Sequence, residues 1–120
     1  MWSYRVSFIK IITLLFFISS FSCLASSQDE INHLLGFVAS TNCIYERNGN
    51  RHSGSEAVEH IKKKYAYFED DIKTAEDFVK YSATKSKMSG KYYKIHCGTN
   101  PPIKSREWLL AELNAYRLAG

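Results

Sequence analysis

A chain of 120 residues, 45% hydrophobic and 23% charged, has room for one modest core and excludes a multi-domain enzyme. Its net charge of +4 says less than it first implies. Arg5 and Lys10 lie in an N-terminal segment that reads as removable, and without them 14 basic residues face 12 acidic ones. A balance of +2 gives little support to a nucleic-acid partner, and none is expected.

Residues 1–25 have the layout of a signal peptide. Arg5 and Lys10 supply the positive start, Ile11 to Phe21 the apolar run, and Ser22-Cys23-Leu24-Ala25-Ser26-Ser27 the small residues, with cleavage after Ala25 or Ser27. Two alternatives stand beside this reading. Val6 to Leu24 just reaches the ~20 residues of an uncleaved membrane anchor, and Cys23 would be the site of a lipid anchor, although Ser20-Phe21-Ser22 is a poor lipoprotein signal. With the signal removed, residues 26–120 form a single small domain of 95 residues outside the cytoplasm.

Ser27-Gln28-Asp29-Glu30 has the form of a capping box and opens a helix from Gln28 to Ser40, with Ile31, Leu34, Leu35 and Val38 at helical spacing. Cys43 to Arg47 alternates as a strand. Asn48-Gly49, the preferred pair for a tight type I′ turn, returns the chain through Asn50 to His52; a plain loop is the competing reading. Ser53-Gly54-Ser55-Glu56 starts a second helix, to about Glu69, with Ala57, Ile61, Tyr65 and Phe68 on one face, Lys62 and Lys63 turned outward, and Glu59 and Lys63 spaced for an ion pair. Thr74-Ala75-Glu76-Asp77 caps a third helix with Ala75, Phe78, Val79 and Ser82 inside. It fades through Lys85 to Met88 and breaks at Ser89-Gly90. Lys91 to Cys97 alternates as a strand with Tyr93, Ile95 and Cys97 on one side. Asn100-Pro101-Pro102 ends it, and Ser105 caps a last helix carrying Trp108, Leu109, Leu113 and Tyr116.

The order of elements predicts an α+β domain: four helices packed on a minimal two- or three-stranded antiparallel sheet. Cys43 and Cys97 remain after export, and an even pair in an oxidising compartment predicts one disulfide. Free thiols are the alternative.

A set of short segments carries a family resemblance. They are Cys43-x-x-x-Arg47-Asn48-Gly49, Ala57-x-x-His60-Ile61-x-x-Lys64-Tyr65, Thr74-Ala75-Glu76-Asp77-Phe78, Ala83-Thr84-Lys85-Ser86-x-x-Ser89-Gly90-x-x-Tyr93-x-x-x-Cys97 and Trp108-Leu109. In this order they resemble the YfeK-like family, small bacterial proteins with signal peptides and a domain of unknown function. The resemblance covers nearly all of the chain after residue 25. It implies a periplasmic protein of a Gram-negative bacterium and brings no activity with it. Lys87 is a departure, since many such sequences have a second serine there.

The chemistry-bearing residues define few options. His33, His52, His60 and His96 show no zinc-type spacing, so no metal or cofactor is expected. Ser82-Ala83-Thr84-Lys85 matches the S-x-x-K nucleophile pattern, but the chain is too short for that fold and the partner motifs are absent; Ser82 is expected to face inward and bond a backbone carbonyl. Arg47, His60, Lys64, Ser86, Ser89 and Gly90 form a candidate anion or ligand site, in which an arginine fork and a half-buried ammonium face a Ser-Gly loop. The competing reading is that both cations satisfy helix ends and carboxylates. The many tyrosines suit either a core or an interface, and Lys62-Lys63-Lys64 either a solvated face or an anionic contact. The leading expectation is a non-enzymatic periplasmic binding or interaction module, its partner an envelope protein or a small anionic ligand such as a cell-wall fragment. The alternatives are a small hydrolase with His60 as base and Ser86 or Ser89 as nucleophile, and a purely structural or stress-related envelope protein.

Overall fold

Ser26 starts the first helix, one residue before the serine expected to do so. Its hydroxyl accepts from the Asp29 N–H at 3.1 Å and the Asp29 carboxylate accepts from the Ser26 N–H at 3.3 Å. Two overlapping S-x-x-acid registers compete here. The Ser26 register wins because it frees Glu30 to turn inward, where it is buried. The structure, a computed structural model, describes residues 25–120, so the expected signal segment, with Arg5, Lys10 and Cys23, lies outside the described residues.

Helix α1 (Ser27–Ser40) leads into strand β1 (Ile44–Arg47), which the Asn48-Gly49 turn folds back into β2 (Asn50–His52). Both turn residues have positive φ, 53° and 79°, as a type I′ turn requires. Ser53 and Glu56 form the expected capping box of helix α2 (Gly54–Tyr67). The helix stops at Phe68 rather than Glu69, and Glu69–Asp71 form a short 3₁₀ turn. Glu59 meets Lys62, three residues further on, at 3.8 Å and not Lys63. Thr74 and Asp77 cap helix α3 (Ala75–Ser82) as expected, with Ala75, Phe78, Val79 and Ser82 all buried.

Beyond α3 the chain departs from expectation. Residues 91–93 belong less to the sheet than to a local pairing with residues 84–86: Lys85 bridges Tyr92, and the Tyr93 N–H donates to the Thr84 carbonyl at 3.0 Å. Strand β3 is therefore only Lys94–His96. A further strand, β4 (Ile103–Lys104), follows Pro101-Pro102 and pairs with β3, so the antiparallel sheet has four strands in the order β2-β1-β3-β4. Strand β3 already stops at His96, before a turn from Cys97 to Asn100 in which Gly98 has φ 57°, so the prolines do not end it, and a new strand follows them directly. Helix α4 (Ser105–Ala119) completes the fold. Ser105 is not its cap: Lys104 precedes the helix without a side-chain cap, and the buried Ser105 hydroxyl meets the Tyr45 hydroxyl.

The core lies where the helices meet one face of the sheet. Tyr45 and Ile95 point in from β1 and β3, and Leu34, Ile61, Phe78, Leu109 and Leu113 close over them from the four helices. Glu46, Lys94 and His96 alternate to the other face, where the His96 ring and the Glu46 carboxylate meet at 2.8 Å. Cys43 and Cys97 are bonded. They stand one step beyond the Ile44–His96 pair, so the disulfide continues the β1–β3 register. Ser82 is fully buried, but its hydroxyl has no hydrogen-bond partner among the described residues, against the expected carbonyl contact; Thr84 takes the Val79 carbonyl at 2.7 Å.

Helix α2 begins hard against the end of α1. A Cβ at Gly54 would overlap the Val38 carbonyl oxygen and lie 3.2 Å from that of Thr41. Backbone is the neighbour, so no side-chain rotation relieves the clash. Gly54→Ala should cost about 2 kcal/mol or more and lower the melting temperature by roughly 10 °C. An unchanged thermal unfolding curve would contradict this packing.

Candidate anion-binding site

The site is built at the end of β1, where three pieces of chain distant in sequence come together. The Asn48-Gly49 turn carries Asn48 against the loop after α3. Its amide donates to the Ser86 hydroxyl at 3.4 Å, and the Ser89 hydroxyl donates to its carbonyl oxygen at 2.6 Å. The loop is closed from within: the Ser89 N–H donates to the Ser86 hydroxyl, and the Gly90 N–H to the Ser86 carbonyl. Gly90 has φ 72°, a conformation that favours glycine.

Helix α2 supplies His60 and Lys64, one turn apart. Both reach the hydroxyl of Tyr93, whose ring is buried behind them. The Lys64 ammonium donates to that hydroxyl at 3.2 Å and to the Lys85 carbonyl at 2.8 Å, and the His60 Nε2 lies 3.3 Å from the same hydroxyl. The Lys64 ammonium also sits 5.0 Å from the Tyr93 ring centroid. The patch thus consists of two hydrogen-bonded groups, His60–Tyr93–Lys64 and Asn48–Ser86–Ser89, which adjoin along the chain at Lys85-Ser86, and the charge of Arg47 acts on His60, Lys64 and Tyr93.

The electrostatics of the patch are one-sided. Burial pushes the His60 imidazolium down to about 4, and Arg47, Lys64, His52 and Lys63 push in the same direction. The Lys64 ammonium is lowered by burial first, then by Arg47 and Lys87. Burial raises the Tyr93 hydroxyl, and Arg47 opposes that rise. Among the described residues no carboxylate pairs with or hydrogen-bonds to the His60 ring or the Lys64 ammonium. Half-buried Arg47 has no ion pair or side-chain hydrogen bond among the described residues, and Lys64 bonds only to neutral oxygens. Carboxylate pairing is therefore not what gathers these cations.

His60 bonds to Tyr93, and the hydroxyls of Ser86 and Ser89 bond to Asn48. Among the described residues no hydrogen bond joins the His60 ring to either serine. The other histidines are separate: His33 stacks on Tyr116 at 4.1 Å and meets Glu112, His52 meets Glu56, and His96 meets Glu46. Sequence reasoning missed Asn48 and Tyr93, which connect the patch. The signal for Tyr93 was present. A tyrosine on the inward side of an alternating strand needs a partner for its hydroxyl, and His60 and Lys64 are the polar groups at the edge of the helix facing it.

Comparison with known proteins agrees with the sequence pattern. Residues 25–117 match DUF5329, described as a family of unknown function, and the chain belongs to that family. It is similar to the uncharacterized protein YfeK of Salmonella typhimurium, with 34% identity over 70 residues, a stretch covering 58% of this chain and 58% of that protein. The chain thus matches well under two thirds of the relative's length. No solved structure matches it. Among the described residues no helix is long and apolar enough to cross a membrane.

Proposed function

We propose that the chain is exported to the periplasm, loses residues 1–25 as a signal peptide, and acts as a non-enzymatic binding module that holds a small anion-bearing ligand at Arg47, His60 and Lys64, against the Ser86–Gly90 loop. The observation that carries this reading is the gathering of three cationic or protonatable side chains, none of which has a carboxylate partner among the described residues. Partly burying like charges together costs free energy, and a bound anion offsets that cost. Arg47 supplies a planar donor fork and Lys64 a point charge. The Cys43–Cys97 bond supports an oxidising compartment. The hydrogen bonds of His60 to Tyr93 and of both serines to Asn48 favour binding over hydrolysis, because a serine nucleophile needs its base within reach.

The test is titration with sulfate, which holds its charge throughout the relevant pH range, read by NMR at the His60 ring. A bound anion raises the His60 pKa from about 4 toward its ordinary value of 6.5. Binding therefore takes up a proton and strengthens as pH falls from about 6.5 toward 4. Arg47→Ala and Lys64→Met should each weaken binding about tenfold, on the scale of one charge-assisted hydrogen bond. A His60 titration that ignores sulfate would refute the proposal.

A further inference from the structure

Beside this patch, and sharing with it Lys64, Lys85 and the loop residue Lys87, a groove of about 630 Å³ runs between α3, the turn after it, Tyr92 and the start of α4. Its walls are mostly apolar: Phe68, Val79, Tyr81 and Leu110. Five cations also line it, Lys64, Lys80, Lys85, Lys87 and Arg106, and none is ion-paired among the described residues. The two acids that line the groove, Glu76 and Asp77, are already engaged. Both Glu76 oxygens accept from Arg117, and the Asp77 carboxylate accepts from the N–H groups of Lys73 and Thr74. The free charge of the groove is therefore positive. Three of its cations lie over aromatic rings, Lys64 over Tyr93 at 5.0 Å, Lys80 over Tyr81 at 5.2 Å and Lys87 over Phe68 at 5.1 Å, so apolar and cationic surfaces are interleaved.

We propose that this groove binds an amphipathic anion: an apolar chain carrying one carboxylate or similar acidic head. An apolar body removes the Phe68, Tyr81 and Leu110 surfaces from water, a gain that scales with the area covered. The head meets Lys87 and Arg106, neither of which is ion-paired among the described residues. A ligand with only one of these properties uses half the site. The volume lies within the range of pockets that enclose small organic ligands. The proposal goes beyond the anion patch above, because Phe68, Tyr81, Leu110 and Arg106 lie outside that patch.

Calorimetric titration of the domain with laurate, below its micelle-forming concentration, tests it. Laurate is expected to bind at one molecule per chain. Dodecyl maltoside, with the same tail and no charge, and acetate, with the same head and no tail, should bind at least tenfold more weakly. The exposed double variant Lys87→Glu/Arg106→Glu should lose laurate at least tenfold without a change in melting temperature. Leu110→Gln should lose it while leaving the response of His60 to sulfate intact, which separates failure here from failure of the neighbouring site. Absent laurate binding, equal binding of the maltoside, or binding indifferent to both variants would overturn the proposal. So would laurate-insensitive dimerisation through this face, seen by sedimentation.

Discussion

Replacing Cys43 with serine is expected to lower the melting temperature by about 20 °C, and reduction of the unchanged protein should do the same. The bond closes a loop across 54 positions. Constraining a loop of that length removes about 4 kcal/mol worth of disorder from the unfolded chain, which is comparable with the whole net stability of a small domain. The bond also extends the ladder between β1 and β3, the strands that carry Tyr45 and Ile95 into the core. Thermal scans with and without reductant provide the measurement. Coincident curves for the oxidised, reduced and Cys43→Ser forms would show that the crosslink contributes nothing.

Arg117→Ala should be the next most damaging change, at about 3 kcal/mol. One guanidinium binds two carboxylates. It donates to Glu30 at 2.6 and 3.1 Å and to Glu76 at 2.9 and 3.0 Å, joining α1, α3 and α4. The Glu30 side chain is only 10% exposed, so losing its partner strands a carboxylate in the core edge. The cost comes chiefly from that stranded charge, and the double change Glu30→Leu/Arg117→Leu should recover most of it. The pH dependence gives an independent check. Arg117 holds the Glu76 carboxyl below its ordinary value. A carboxyl depressed in the folded state contributes fully above its unfolded value and loses that contribution as pH falls through the depressed one. Arg117→Ala should therefore lose part of the wild type's decline in stability below about pH 4.5. Denaturant unfolding of both proteins between pH 3 and 7 measures it, and parallel profiles would contradict the role assigned to Arg117.

Local signals were legible because one or two neighbouring residues decide them. The Ser53–Glu56 and Thr74–Asp77 boxes and the Asn48-Gly49 turn each sit within four consecutive residues. Strand β4 was not legible. Two residues carry no periodicity, and Pro101-Pro102 before them reads only as a stop. The Arg117 clasp was invisible for a different reason. Its partners lie 87 and 41 positions away, and nothing local distinguishes Arg117 from any other arginine near a helix end. Ser105 misled for the same reason. A serine just before an apolar helical run looks like a cap, and only the fold shows that its hydroxyl is needed inside by Tyr45. At the candidate site the charged and loop residues were readable by type. Their convergence depended on Asn48 and Tyr93, whose roles follow from side-chain direction, which sequence spacing does not give.

The position of β1 in the sheet also orders events in folding. One neighbour, β2, is reached through a two-residue turn; the other, β3, lies about fifty residues further along the chain. Hairpins close within microseconds, whereas a pairing across that distance waits on a large loss of chain freedom. The β1–β2 hairpin therefore forms early with the second edge of β1 bare, and it stays bare until Lys94–His96 arrive. That edge carries Ile44 and Tyr45 and is a template for pairing with another chain. The interval before β3 docks is when this protein is most exposed to self-association. Solution conditions or variants that slow that docking should appear first as aggregation during refolding, before any loss of stability in the finished fold.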